Sequence, residues 1–199
     1  MRPFLTLFLC CQLIPLVGPT NAANTAAEIS EQNIGTWLAA AARGDKSLVL
    51  GALSLGADVN AKNKDGVTAL IATSQQGHFQ IAKLLLDMRA DVNAKMNDGR
   101  TALIAASGRG HTTVVELLLS KGADIHAKSN EGVSALHVAS EFGHAKTVEM
   151  LMAKGADVNS RRQGAENKGA TPIMMASGNG HAGIAKILLV KGANVNATT

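Results

Sequence analysis

The sequence predicts an all-α solenoid of about five stacked helix–turn–helix units, and three observations predict it. The stretch Gly56-Ala57-Asp58-Val59-Asn60 returns as Arg89-Ala90-Asp91-Val92-Asn93, then as Gly122-Ala123-Asp124-Ile125-His126 and Gly155-Ala156-Asp157-Val158-Asn159, each 33 residues on. A fifth copy, Gly192-Ala193-Asn194-Val195-Asn196, follows after 37 residues. Such a period marks stacked supersecondary units, none of which buries its apolar face alone. Within each period two short apolar segments are divided by a glycine, the usual terminator of a helix. Finally, Trp37, Phe79 and Phe142 are the only aromatic residues after residue 22. Ala, Leu, Ile and Val must therefore supply the packing, which suits thin, closely stacked helices.

The chain opens with a segment of another kind. Met1-Arg2-Pro3 carries one positive charge, Phe4 to Val17 is apolar apart from Thr6 and Gln12, and Pro15, Gly18 and Pro19 interrupt the run. Thr20-Asn21-Ala22 then offers small residues for a cut after Ala22, which completes the pattern of a secretory signal peptide. The apolar run is shorter than the roughly 20 residues a membrane-spanning helix needs. Export to a periplasm or an extracellular space is the expectation. Cys10 and Cys11 both fall in the leader, so the mature chain makes no use of disulfides, cysteine-bound metals or thiol nucleophiles. Removing Arg2 from the 19 basic residues leaves 18 against 15 acidic ones, a formal charge of +3. That balance is far from one expected of a nucleic-acid-binding protein. No later apolar run approaches spanning length, so no membrane association is expected after cleavage.

Residues 23–33 are small and polar and read as a short tether. The first unit, about 34–66, begins with a helix from Thr36 to Ala42 closed by Gly44, followed by a second helix with Asp45 or Ser47 as its cap. It lacks a Thr-Ala-Leu start, as an end-capping unit often does, and Trp37 stands where the next unit has Leu70. The second unit, 67–99, starts after the turn Asp65-Gly66. Thr68 caps the helix Ala69 to Ser74, Gly77 ends it, and His78 to Leu86 is the return helix. Units three (100–132), four (133–169) and five (170–199) repeat this design with Thr101, Ser134 and Thr171 as caps and Gly110-His111, Gly143-His144 and Gly180-His181 between helices. Pro172 sits just inside its helix, where a missing N–H costs nothing.

These units are similar to the ankyrin-repeat family, whose pattern runs Asp-Gly-x-Thr-Pro-Leu-His-x-Ala-Ala-x-x-Gly-His, an apolar return helix, then Gly-Ala-Asp-Val-Asn. The match covers roughly residues 34–199. The resemblance implies antiparallel helix pairs stacked into a curved solenoid with β-hairpin loops projecting at right angles. It also implies binding through the hairpin tips and the concave face of the first helices. Arg89 replaces the glycine of a helix-ending turn, so a left-handed backbone there would strain the second unit by very roughly 1 kcal/mol. No polar capping unit follows Asn196-Ala197-Thr198-Thr199, so the last helix pair is expected to be exposed on one side, with Leu188 or Val190 there.

Several recurring residues invite a chemical reading. His78, His111, His144 and His181 form a row at the pitch of one unit, whereas zinc draws its ligands to about 2.0–2.1 Å from one ion. They read as turn-orienting residues, His137 as a structural histidine of the first helix, and His126 as a loop residue. Ser74, Ser107, Ser140 and Ser177 recur as small packing residues, and Asp58, Asp91, Asp124 and Asp157 as turn formers. No catalytic set, cofactor site or metal site is expected.

Binding signals lie where the units differ. Gln75-Gln76, Gly108-Arg109, Glu141-Phe142 and Gly178-Asn179 occupy matching positions before the helix-ending turn. Phe142 is the one aromatic among them, and aromatics anchor interfaces. The loop from Asn159 to Thr171 is four residues longer than its neighbours and carries Arg161 and Arg162; insertions in a solenoid often mark its binding face. With Lys62, Lys95 and Lys128 in phase with Arg161, the loops carry a basic row and a weak preference for an acidic protein surface. The expected partner site is therefore Gln75, Gln76, Arg109, Glu141, Phe142, Asn179, Arg161 and Arg162. Self-association through the last unit is the alternative, and an exported metal protein or enzyme built on the histidine row a more distant one.

Overall fold

The structure is a computed structural model that describes residues 34–164 and 168–198. The expected leader and tether lie outside the described residues, as do 165–167 of the long loop. Ten helices follow one another among the described residues. They are α1 (34–43), α2 (Lys46–Ser54), α3 (Ala69–Gln76), α4 (Phe79–Asp87), α5 (Ala102–Gly108), α6 (Thr112–Ser120), α7 (Ala135–Glu141), α8 (Ala145–Ala153), α9 (Pro172–Gly178) and α10 (Ala182–Val190). From α3 onward each odd helix pairs with the even helix that follows it. The odd helices stack in one layer, α3 on α5 on α7 on α9, and α4, α6, α8 and α10 stack in the second.

Local chemistry sets the helix ends. Thr68 and Thr101 Oγ1 accept from the backbone N–H of Ile71 and Ile104, and Asp45 Oδ1 accepts from Leu48 N–H at 3.0 Å. These bonds satisfy donors that a helix start leaves unpaired. At Gly77 the chain turns with φ 78°, and the N–H of His78 returns to Thr73 O at 3.0 Å. The equivalent turn after α4 passes through Arg89 at φ 65°, the one non-glycine residue with positive φ among the described residues. The strain expected there from the missing glycine is thus present in the backbone.

The core is a set of columns running along the stack. Leu70, Leu103, Leu136 and Ile173 form one in the first layer, and Leu85, Leu118, Leu151 and Leu188 form another in the second. All are buried, so the expectation that Leu188 lies on an open face is corrected: helical register turns it inward with its three equivalents. Leu189, Val190 and Val195 are the exposed apolar residues of the last unit, at 46%, 80% and 65%. Trp37 is buried in the core of the first unit. Ser74, Ser107 and Ser140 are buried between helices with no partner for Oγ, while Ser177, in the last described unit, is exposed.

The loops are hairpins held by single antiparallel bridges, Lys95 with Thr101 and Lys128 with Ser134, and no strand forms among the described residues. Each tip bonds to the next. Asn97 N–H donates to Asp65 O, Asn130 N–H to Asp98 O and Gln163 N–H to Glu131 O, at 3.0, 2.9 and 2.7 Å. Asn97 and Asn130 Nδ2 add bonds to Lys64 O and Asn97 O. This ladder fixes the tips relative to one another.

Candidate partner-binding face

The histidine row is the frame on which the variable positions sit. His78, His144 and His181 present Nε2 to the carbonyls of Ala42, Gly108 and Glu141 in the preceding unit, at 3.0, 3.1 and 3.0 Å. His111 lies against Gly77 as closely as the others lie against their glycines; a Cβ on Gly77 would stand 2.6 Å from its Nδ1. The row therefore staples unit to unit as well as orienting each turn. Among the described residues no three His, Cys, Asp or Glu side chains gather to hold a metal ion.

This stapling divides the variable pairs. Gln75, Gly108 and Glu141 are half-buried beneath the next unit, and for the latter two the backbone carbonyl is taken by a histidine. Gln76, Arg109, Phe142 and Asn179 are exposed, with Phe142 at 56%. Asn179 Nδ2 returns to Met175 O at 2.9 Å. Arg43 is exposed at the matching position of the first unit and extends the row to five residues. Aligning the first unit on Gly44 and Gly77 would have included it. Gly108, which lacks a side chain, brings α5 against Val138 and the Phe142 ring of the next unit.

A second ladder ties the loops at the ends of the return helices. Each recurring aspartate forms a turn, with Oδ1 of Asp58, Asp91, Asp124 and Asp157 accepting the N–H two residues on. The asparagine that closes that turn reaches the next unit: Asn60, Asn93 and Asn159 Oδ1 accept from the N–H of Asp91, Asp124 and Asn194, each at 2.8 Å. Sequence reading identified the aspartates but missed this asparagine ladder, which joins residues 31 to 35 positions apart.

The two arginines of the long hairpin differ. Arg161 is exposed and reaches Thr198 O at 3.2 Å. The side chain of Arg162 is only 11% exposed; its Nη2 meets Glu131 Oε2 at 3.0 Å, and its backbone pairs with Ala170 and Gly169. Arg162 thus braces the hairpin, and Arg161 stands with exposed Lys62 and Lys95 in the basic row. The Lys62 ammonium donates to Lys95 O, which holds part of that row in place.

His137 belongs to the core. It occupies the position of Ile71 and Ile104 and is fully buried, with Nδ1 accepting from Ser134 N–H in a capping box and Nε2 facing Ala170 O at 3.2 Å. Burial chiefly, with Arg162 and Lys128 nearby, lowers its pKa from 6.5 to about 4, so the ring is neutral near pH 7. The exposed Asp87 carboxyl is lowered to about 2 by hydrogen bonds from Lys121 and Lys83.

A family model described as ankyrin repeats (3 copies) matches residues 37–129, 93–162 and 126–199. Together with the stacked helix pairs and the hairpins, this places the chain in the ankyrin-repeat family. Comparison with curated proteins finds no match. Ankyrin repeats indicate a protein–protein interaction module, a class that is typically not enzymatic. Among the described residues no helix is long and apolar enough to cross a membrane.

Proposed function

We propose that this chain is an exported module that binds a partner protein through the exposed row Gln76, Arg109, Phe142 and Asn179 and the hairpin tips, with half-buried Gln75 and Glu141 beneath the row. The observation that carries the reading is the contrast within the variable pairs of units two to four. There the inner member is half-buried, while the outer one changes type from unit to unit on a fixed frame; in the last unit both Gly178 and Asn179 are exposed. A surface ordered before docking loses little entropy on binding, and Phe142 supplies the apolar anchor. Exposed Lys62, Lys95 and Arg161 favour an acidic partner surface. The leader pattern of residues 1–22 supports secretion to a periplasm or an extracellular space.

Two measurements test this. Immobilised residues 23–199 should retain a protein that a bait carrying Arg109→Glu and Phe142→Ala does not; equal retention by both baits would refute the assigned face. Arg162 is left intact because its removal would strip the brace to Glu131. N-terminal sequencing of the protein made in its own cells should begin at Ala23, and an intact Met1 in the bulk of the protein would refute export by this leader.

A second reading has its own observation. Leu189, Val190 and Val195 leave the last unit with an apolar surface, which a second copy could cover. Light scattering would then show a mass that rises with concentration and falls back on Val190→Lys; a constant monomer mass sinks this reading.

A further inference from the structure

The steps between units show what one face of a unit asks of the face laid on it. Ile81, Val114, Thr147 and Ile184 hold one position of the return helices, and all four are buried. Thr147 marks where that position lies, since its Oγ1 meets Thr112 Oγ1 of the preceding unit at 2.9 Å. The first unit carries Leu48 there, and it is 52% exposed. A second pair of positions meets at Asp87 and Lys121, whose charged groups are 2.7 Å apart across the step from α4 to α6. Counted along the repeat, Val190 holds the position of Asp87 in the last described unit, and Leu55 holds the position of Lys121 in the first. Among the described residues these are the two most exposed large apolar side chains, at 80% and 90%. Exposed apolar surface of this kind marks an interaction site.

We infer that the last described unit takes the first unit of a second copy of this chain, laid on it as each unit is laid on the one before. This pairing rests on the self-association reading above and names the surface that answers the last unit. In it Val190 meets Leu55, two apolar groups at positions that bear opposite charges between α4 and α6. Leu48 meets Ala182, which is exposed at the position of Thr112 and leaves room for the longer side chain. The asparagine ladder runs on as well. Asn60, Asn93 and Asn159 Oδ1 accept from the N–H of Asp91, Asp124 and Asn194 in the next unit, so Asn196 in turn offers its Oδ1 to Asp58 N–H of the copy. One contact is missing. Gly44, Gly77, Gly110 and Gly143 each lie against a histidine ring of the next unit, whereas a Cβ on Gly180 would meet nothing within 4 Å. The first unit brings Asp45 to that place, in the position of His78, so the join lacks the staple and is weaker than the steps inside the molecule. It unites two different faces, and copies therefore add in an open row instead of closing as a two-fold dimer. Two last units laid face to face would repeat no contact of the stack.

Light scattering of residues 23–199 over a range of concentrations, at low ionic strength, tests the join by exchanging charges. Leu55 and Val190 are exposed, so replacing either leaves the fold intact. Leu55→Glu alone and Val190→Lys alone should each raise the dissociation constant at least about tenfold, since each sets an unpaired charge against an apolar side chain. Mixed in equal amounts, the two variants should associate again, because the introduced charges then face each other as Lys121 and Asp87 do. A chain that carries both changes should associate by itself for the same reason. If Leu55→Glu associates as the wild type does while Val190→Lys stays monomeric, the join is overturned and self-association through the last unit alone stands. Loss in both variants with no recovery on mixing would also overturn it. A wild type that is monomeric at every concentration would sink the join and the self-association reading together, leaving the apolar face to a different partner.

Discussion

His137→Ile converts the one titratable residue of a buried column into the residue that units two and three carry at Ile71 and Ile104. In the native fold Nδ1 accepts Ser134 N–H, so the ring proton resides on Nε2 and faces Ala170 O. A second proton would have to sit on Nδ1, where it would break the capping box and place a cation in the core near Arg162 and Lys128. The folded pKa of about 4 lies below the ordinary 6.5 that the unfolded chain recovers. Between these values the unfolded state binds more protons than the folded one. The contribution is therefore complete above pH 6.5, declines as pH falls, and levels off below about 4. Linkage gives a loss of about 2 kcal/mol between pH 7 and about pH 5, and about 3 kcal/mol once both forms are protonated. Urea denaturation followed by far-UV circular dichroism would measure it. The wild type should lose about 2 kcal/mol more stability from pH 7 to pH 5 than His137→Ile does. Equal losses in the two proteins would refute the assignment, whatever their absolute stabilities.

Three further perturbations separate backbone strain from packing. Gly77→Ala and Gly122→Ala both force alanine into a left-handed turn, at φ 78° and 87°, which costs each about 1 kcal/mol. Only the former meets a neighbour, the His111 ring, so it should lose roughly a further 1 kcal/mol or more in urea denaturation, and equal losses would contradict the stapling role. Arg89→Gly should raise stability by about 0.5 kcal/mol, the relief of the left-handed turn less the added freedom of glycine in the unfolded chain; a fall in the unfolding midpoint would show that the Arg89 side chain makes a compensating contact. Ser107→Ala removes a buried hydroxyl without a partner and should stabilise by roughly 1 kcal/mol, so a clear destabilisation would mean that Oγ is bonded in solution.

What the sequence made legible was what local chemistry determines. Caps at Thr68 and Thr101, the left-handed turn at Gly77 and the strained one at Arg89 each depend on a few adjacent residues. The repeat period then converts those local units into a stack. What remained hidden depends on contacts between units. That Gln75 is half-buried while Gln76 is exposed follows from the way each helix settles against its neighbour, as does the inward turn of Leu188. Arg162 read as a free basic tip because its partner, Glu131, lies in the preceding hairpin 31 residues away. The staple from His181 to Glu141 O spans 40 residues and ends on a backbone carbonyl, which no residue type advertises.

A repeat protein supplies its own internal comparison, and this bears on how its sites can be found. At the histidine row all four units agree, and the structure assigns that row to holding the stack together. At Gln76, Arg109, Phe142 and Asn179 all four differ, as an exposed surface allows whether or not it is used. The informative case lies between these extremes, where one unit departs from a residue that the other four share. Gly56, Gly122, Gly155 and Gly192 occupy the turn after the return helix, and Arg89 departs from them while keeping the left-handed backbone, at φ 65°. His126 departs from Asn60, Asn93, Asn159 and Asn196, and with it the ladder loses the side-chain acceptor that Asn60, Asn93 and Asn159 offer the next unit. Ser160 departs from Ala61, Ala94, Ala127 and Ala197 and buries a hydroxyl where a methyl group suffices elsewhere. Each departure is thus read against the copies that keep the rule, which separates what the stack requires from what one unit alone carries.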